Sequence, residues 1–390
     1  MHIVDISALY SPNGGGIKTY TRRKLVAAER LGHELTVVVP GADDSVEVIN
    51  PMARMVNIPS PRFPFDRNYF YFESDAIIHA ALDRYKPDFV EASSPWGSAS
   101  AVAEWPGKAP RALIMHADPL TAWAYRWFEN FASRKTIDRG FEWFWRYLRR
   151  LDGQYDAVIS ASQNLSERLT GGGMQRIHTI PMGVEPGIFS PSHRDPALRA
   201  RLLARCELPE SATLLLGSGR HSPEKRWPMI MAGAMAAGYS RPLALVIVGD
   251  GHARASVVRA TGGNPHILLL APISDRLEMA RLMASADLLV HGSAAETFGM
   301  VPAEARASGL PIVVPDDGAA TDQVEPGVGL RYVAGDAASL AVTIGQALEN
   351  LPAMQAAAIA AAPGVRDMDR HFDDLFALYE QLATGARAAA

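Results

Sequence analysis

One cysteine, Cys206, occurs among 390 residues. It excludes an internal disulfide framework and a thiolate metal cage, and it suits a reducing compartment. Excess charge of one sign is also missing. Thirty-eight basic residues face 42 acidic ones, for a net charge of -4 and no basic tail, so nucleic acid is excluded as the expected partner. No uninterrupted apolar run approaches about 20 residues, which leaves peripheral contact as the one route to a membrane. The opening "MHIVDISALY" lacks a basic lead and a long apolar stretch. It reads as a buried first strand and not as a signal peptide, so the expectation is a cytoplasmic protein. A short-period repeat and a low-complexity tract are absent too, which argues against a solenoid.

What remains is an ordinary globular composition, 48% hydrophobic, in a chain long enough for two domains. Short β-branched runs alternate with helical stretches. The first half carries "HIVDIS", "ELTVVVP", "FVEAS", "RALIMHA" and "DAVISAS"; the second carries "TLLLGSG", "LALVIVG", "HILLLAP", "DLLVHGS" and "PIVVPD". Strands separated by helices imply parallel sheets of right-handed βαβ units. Two series predict two doubly wound α/β domains. The join falls in "PMGVEPGIFSPSHRDP", rich in Pro and Gly, which divides the chain into 1–188, 189–362 and a closing helix in 363–390 that is expected to pack back toward the first domain. Phe372, Leu375, Phe376 and Tyr379 give that helix its apolar face, with Gly385 as its stop.

In open parallel sheets ligands bind beyond the carboxyl ends of the strands, so the loops there carry the candidate chemistry. Gly14, Gly15 and Gly16 precede the first helix, where bare backbone and free N–H groups favour an anion; a plain strand-to-helix turn is the alternative. "GSGRHSPEKRW" leaves a strand through Gly217 and Gly219 and presents Arg220 and Lys225. These form either a diphosphate clamp or a solvated surface pair. Gly249, Asp250 and Gly251 repeat the strand-then-glycine design. In "AAETFGMVPAEARASGLPIVVP" Glu296 lies in a loop and Glu304 on the first turn of the following helix, with Pro302 beside it. Glu304 could accept the cis hydroxyls of a ribose or could simply complement a helix N-terminus. Glu296 could meet another part of the same ligand or be a solvated loop acid.

These elements, in this order, resemble the GT-B glycosyltransferases of family four, the retaining "glycosyl transferases group 1". The resemblance runs from "GGGIKTYTRRKLVAAERLGHELTVV" through "IPMGVEPGIFSP" and "GSGRHSPEKRW" to "GDG" and the E-x7-E motif "ETFGMVPAE". It implies two Rossmann-like domains facing a central cleft, the first binding the acceptor and the second a nucleotide sugar, UDP-linked ahead of GDP-linked. On matching residues it implies that Glu304 binds the ribose, Arg220 and Lys225 the diphosphate, and Glu296 the sugar hydroxyls. It further places Thr297, Phe298, Gly299 and Met300, with Gly15, Gly16, Gly219 and Gly249, around sugar and phosphates. His116, in "LIMHADP", stands beside the sugar, and position alone puts Ile273 at the base. Transfer would be metal-independent and retaining, with Arg220, Lys225 and helix N-termini stabilising the departing diphosphate. The lone Asp-x-Asp, Asp367 to Asp369, lies away from any strand end and is a poor metal site.

The sequence departs from the family pattern at Met182 and Glu185, at Arg226 where Gly is usual, and in "DDGAATDQV", which lacks the usual Gly-Gly-x-x-Glu. The diphosphate residues are untouched, and the sugar is the part left unnamed. Residues 120 to 150 concentrate Trp123, Trp127, Trp143 and Trp145 with seven Arg or Lys, and "RFPFDRNYFYF" precedes them. Aromatic and basic residues together suit a lipid-linked or amphipathic acceptor at the inner face of an anionic membrane. Burial against the first-domain core or in a dimer contact is the alternative. Two other functions fit the same pattern less well: a GT-B nucleotide-sugar epimerase, and a non-catalytic two-lobed sugar- or nucleotide-binding protein.

Overall fold

The computed structural model of the protein describes residues 1–11, 16–64, 68–116, 120 and 134–389. It divides into two compact units, Met1–Pro181 with Asp369–Ala390, and Met182–Met368. The break thus falls a few residues ahead of 188. Met182 and the residues after it go with the second unit because Val184 donates its N–H to the carbonyl of Arg366 at 2.9 Å, and Met368 returns a bond to Val184 at 2.8 Å. Both units are α/β with parallel sheets, as the strand pattern predicts.

The first unit holds eight strands: β1 (His2–Ile6), β2 (Glu34–Gly41), β3 (Ser45–Asn50), β4 (Ala53–Pro59), β5 (Phe89–Ser93), β6 (Arg111–Met115), β7 (Ala157–Ser160) and β8 (Ile177–Thr179). Their order is β3-β4-β2-β1-β5-β6-β7-β8, parallel except for β3 against β4. β1, β2, β5, β6 and β7 read as near-continuous apolar runs because helices cover both faces of a parallel sheet. β3, β4 and β8 escaped the sequence reading, and of these β3 and β8 lie at the sheet edges. An edge strand is half solvated and need not be apolar: Val46 and Val48 of β3 are exposed.

The helix Met368–Ala389 packs on the first unit. Phe372, Leu375, Phe376 and Tyr379 are all buried, and the Tyr379 ring stacks on Phe89 of β5 at 4.3 Å. The helix runs through Gly385 without stopping there; one glycine costs only about 1 kcal/mol inside a helix. Beneath it lies a charged cluster. Lys24, fully buried on the helix Gly16–Arg30, donates to Asp5 of β1 at 3.0 Å and to Glu91 of β5. Tyr379 donates to Glu91 at 2.6 Å, and Ser93 reaches Asp5 at 3.0 Å and Glu91 at 2.8 Å. Two carboxylates share one ammonium, so burial and Glu91 push the Asp5 carboxyl up to about 7 against the pull of Lys24.

The second unit has six strands: β9 (Thr213–Ser218), β10 (Leu243–Val248), β11 (Ile267–Leu270), β12 (Leu288–Val290), β13 (Ile312–Pro315) and β14 (Gly329–Tyr332). The order is β11-β10-β9-β12-β13-β14 and every pairing is parallel. From β9 the chain winds outward through β10 and β11. It then returns to the other side with β12, β13 and β14. The loops after β9 and β12 therefore leave in opposite directions and open a crevice between them.

Candidate active site

The crevice takes its shape from glycine. β10 ends at Val248 and the chain turns at Gly249 with φ +154°, where a Cβ would stand 2.0 Å from the Gly219 carbonyl oxygen. No side chain fits there, so the turns after β9 and β10 lie backbone against backbone. Gly299, with φ +82°, caps the helix Met300–Ala307 and reverses the chain after the Glu296 loop. Gln323 holds that loop by donating to the Phe298 carbonyl at 3.4 Å, and Ala319 donates to Glu296's carbonyl at 3.3 Å.

A cleft of about 420 Å³ results within the second unit, lined among others by Gly219, Arg220, Gly249, Ile273, Met300 and Glu304. Six residues singled out in the sequence thus share one recess. Arg220 is exposed there. Lys225 ends a short turn, Pro223–Lys225, and its stem runs along Gly219. It pairs with Glu296, 71 positions further on, with the two side chains 16% and 20% exposed. Glu296 is therefore no solvated loop acid. Burial by itself raises its carboxyl, but the Lys225 ammonium and His291, 3.4 Å away, outweigh that and hold it well below the usual carboxylate range. Burial in turn lowers the pKa of His291 despite Glu296, so its ring is neutral at pH 7.

Glu304 is the fifth residue of the helix Met300–Ala307 and stands on its second turn, not its first. The helix starts earlier than the sequence suggests, at Met300 directly after the Gly299 cap, so that Pro302 is its third residue. The Glu304 side chain is only 8% exposed and pairs with Arg276. Burial raises its carboxyl above the ordinary range even beside that guanidinium. Arg276 opens the helix Arg276–Ser285 and was not among the candidates read from the sequence. Its available signal was the Asp275 N-cap after β11, which puts Arg276 at a strand's carboxyl end. Thr297 is half-buried and Phe298 buried, so side chains alone would not present this loop to a ligand. Arg226 adopts φ +52°, a left-handed conformation that favours glycine.

His116 and Gly16 belong to the first unit. His116 follows β6 and meets the edge of Tyr20 with centroids 5.0 Å apart. Burial pushes its imidazole down to about 4, so it is neutral at pH 7 and can donate from one nitrogen while accepting at the other. Tyr20 and His371 lie 3.2 Å apart, and the other nitrogen of His371 meets the Pro181 carbonyl at 3.0 Å. The closing helix thus stands behind Tyr20 and His116. Gly14, Gly15, Trp123 and Trp127 lie outside the described residues. The remaining tryptophans separate: Trp143 is 58% exposed, whereas Trp145 is 6% exposed and packed in the core. Trp145 is thereby withdrawn as an acceptor or membrane contact, because it falls on the inward face of the helix Glu142–Gln154 with Phe144 and Leu148. No helix among the described residues is long and apolar enough to cross a membrane.

Two family models match the chain in succession, Glycosyltransferase Family 4 over residues 14–187 and Glycosyl transferases group 1 over residues 204–363. The chain belongs to glycosyltransferase family four. This family-four enzyme is 29% identical over 330 residues to a GDP-mannose-dependent alpha-mannosyltransferase of Mycobacterium tuberculosis, covering 84% of this chain and 82% of that one. It is 27% identical over 326 residues, 83% of this chain and 81% of the other, to a GDP-mannose-dependent alpha-(1-6)-phosphatidylinositol dimannoside mannosyltransferase of the same species. HepE of Anabaena, solved in complex with UDP, superposes with a TM-score of 0.71 at 17% identity over 98% of this chain and 100% of that one. That likeness confirms the GT-B fold of the family-four enzyme.

Proposed function

We propose that this glycosyltransferase moves a hexose, with retention and without a metal ion, from a nucleoside diphosphate sugar to the hydroxyl of a lipid-linked, saccharide or small-molecule acceptor. The observation that carries the reading is the cleft at the β9/β12 switch point, which combines bare glycine backbone, Arg220 and the buried Glu304, with the Lys225–Glu296 pair beside it. GDP-mannose now stands ahead of a UDP-sugar as donor. The relatives named for GDP-mannose share more sequence with the chain, 27–29%, than the UDP complex at 17%. A lipid-linked acceptor draws support from the phosphatidylinositol named in one of those relatives, and exposed Trp143, Phe63 and Tyr71 are apolar surface suited to it.

In this mechanism the bond from the sugar's anomeric carbon to the phosphate oxygen breaks with its electron pair going to the phosphate. The carbon is left oxocarbenium-like. Arg220 and Lys225 stabilise the charge that accumulates on the departing diphosphate, and this electrostatic contribution is the largest the site can offer. Glu304 holds the ribose so that the diphosphate meets both cations. Glu296, kept ionised by Lys225, accepts hydrogen bonds from the sugar's hydroxyls. The acceptor hydroxyl attacks from the face the phosphate leaves and passes its proton to the departing phosphate oxygen.

The test is thermal unfolding with GDP, UDP, ADP and their common sugars, followed by product analysis with the donor that stabilises the protein. A shift for one nucleotide that Glu304→Ala and Lys225→Ala abolish, with α-linked product unaffected by EDTA, is the expected result. Transfer abolished by EDTA and restored by magnesium would overturn the metal-free account. Conversion of the donor without any acceptor would replace transfer with epimerisation.

A further inference from the structure

Among the described residues Arg276 is the cation in the cleft that already has work to do. It is the first residue of its helix, and Asp275 fixes that start by accepting from the N–H groups of Leu277 at 2.8 Å and Glu278 at 3.1 Å. From there the guanidinium reaches in three directions. Its Nη2 donates to Oε1 of Glu304, its Nε donates to Oε2 of Glu185 at 3.2 Å, and its plane lies over the Phe189 ring, 4.9 Å from the centroid. The side chain is 40% exposed and lines the cleft, while Glu304 beside it is 8% exposed.

Arg276 engages Oε1 of Glu304 and leaves Oε2 for a ligand's hydroxyl. A carboxylate so nearly buried would resist ionisation and swing freely without a cation to hold it. Arg276 is itself held by Glu185 and Phe189, both from the stretch that opens the second unit. Its fork uses separate N–H groups for two carboxylates, which an ammonium on a flexible stem cannot reproduce.

We propose that Arg276 is a positioning residue which aims Glu304 at the donor's ribose, so that the relay Glu185–Arg276–Glu304 sets the enzyme's demand for a 2′-hydroxyl. The inference rests on the proposed binding of a nucleoside diphosphate in this cleft. It assigns to Arg276 a role in selecting ribonucleotide over deoxyribonucleotide, exerted through Glu304 and not through the diphosphate.

Calorimetric titration with GDP and 2′-deoxy-GDP tests it. The wild-type protein should prefer GDP by about 10- to 100-fold, the value of one hydroxyl bonded to a charged acceptor. Arg276→Met should weaken GDP by about the same factor and leave 2′-deoxy-GDP nearly unchanged, collapsing the ratio toward one. Arg276→Lys should restore less than half of the lost ratio on a logarithmic scale. Glu185→Gln, away from the nucleotide and gentler on folding, should shrink the ratio in the same sense by a smaller factor. Equal weakening of both nucleotides in Arg276→Met, or an unchanged ratio in Arg276→Met or Glu185→Gln, would overturn the inference. A wild-type protein that binds GDP without preferring its 2′-hydroxyl would also overturn it while sparing the functional reading. A wild-type protein that binds no nucleoside diphosphate would instead sink the functional reading and the inference with it.

Discussion

Replacing Lys225 by Met removes the charge that keeps Glu296 ionised while preserving most of the stem that lies along Gly219. Both side chains are largely shielded, at 16% and 20% exposure, so the wild-type pair is closer to a buried than to a surface ion pair. Breaking a fully buried pair costs about 3–5 kcal/mol, and the residual exposure reduces this to about 2–3 kcal/mol at pH 7. The pH dependence carries the sign. In the wild type the Glu296 carboxyl is depressed, so its contribution is present above the unfolded value near 4.5 and is lost as pH falls toward the folded one. In the variant burial acts with far less opposition and the folded pKa climbs above the unfolded one. Stability then falls as pH rises through that interval. The stability gap between wild type and Lys225→Met should therefore widen from pH 4 to pH 7. Urea unfolding of Lys225→Met, Glu296→Gln and the double variant at several pH values measures it, and the double variant should lose less than the sum of the singles. Turnover should fall by about 10²–10³, the usual effect of removing one donor to a developing oxyanion. A gap that stays constant with pH, together with additive single effects, would refute the electrostatic account of this pair.

Other substitutions separate packing from surface and backbone from side chain. Trp145→Ala should cost about 3–5 kcal/mol in denaturant unfolding, whereas Trp143→Ala should stay within about 0.5 kcal/mol and instead reduce flotation with anionic vesicles at low salt. Equal costs would contradict the division between the two rings. Tyr379→Phe removes the 2.6 Å bond to Glu91 and should lower stability by about 1.5–3 kcal/mol; a loss under about 0.5 kcal/mol would mean that Lys24 and Ser93 suffice for Glu91. Gly249→Ala places a methyl 2.0 Å from the Gly219 carbonyl and should abolish the nucleotide-induced thermal shift. Unchanged binding would show that the turn has room to move.

Most interior strands were readable because a parallel strand covered on both faces is apolar along its length; β4, "ARMVNIP", is interior but carries Arg54 and Asn57 and was missed. β14, "GLRY", was missed too, since a four-residue edge strand with an Arg obeys no such demand. The roles expected of Arg220, Lys225, Glu296 and Glu304 came from their places in motifs, and the motifs are local. What each side chain touches was beyond that reading. The aromatic segment shows the limit well: a four-residue spacing marks one face of a helix but does not say which tryptophan turns inward, and the helix Glu142–Gln154 buries Trp145 and leaves Trp143 outside.

The sequence by itself determined two α/β domains, the glycine turns after β9 and β10, and a pair of glutamates around Phe298 and Gly299. These follow from apolar period, glycine's tolerance of positive φ and the chemistry of residues within a turn or two of one another. Tertiary structure decided the rest. Lys225 meets Glu296 only because β9 and β12 are neighbours at the point where the winding reverses. Arg276 meets Glu304 only because β11 and β12 send their helices to the same cleft, and Tyr379 meets Glu91 across 288 positions because the closing helix lies over β5. An ion pair or a buried hydrogen bond acts over a few ångströms, and strand order sets which residues come that close.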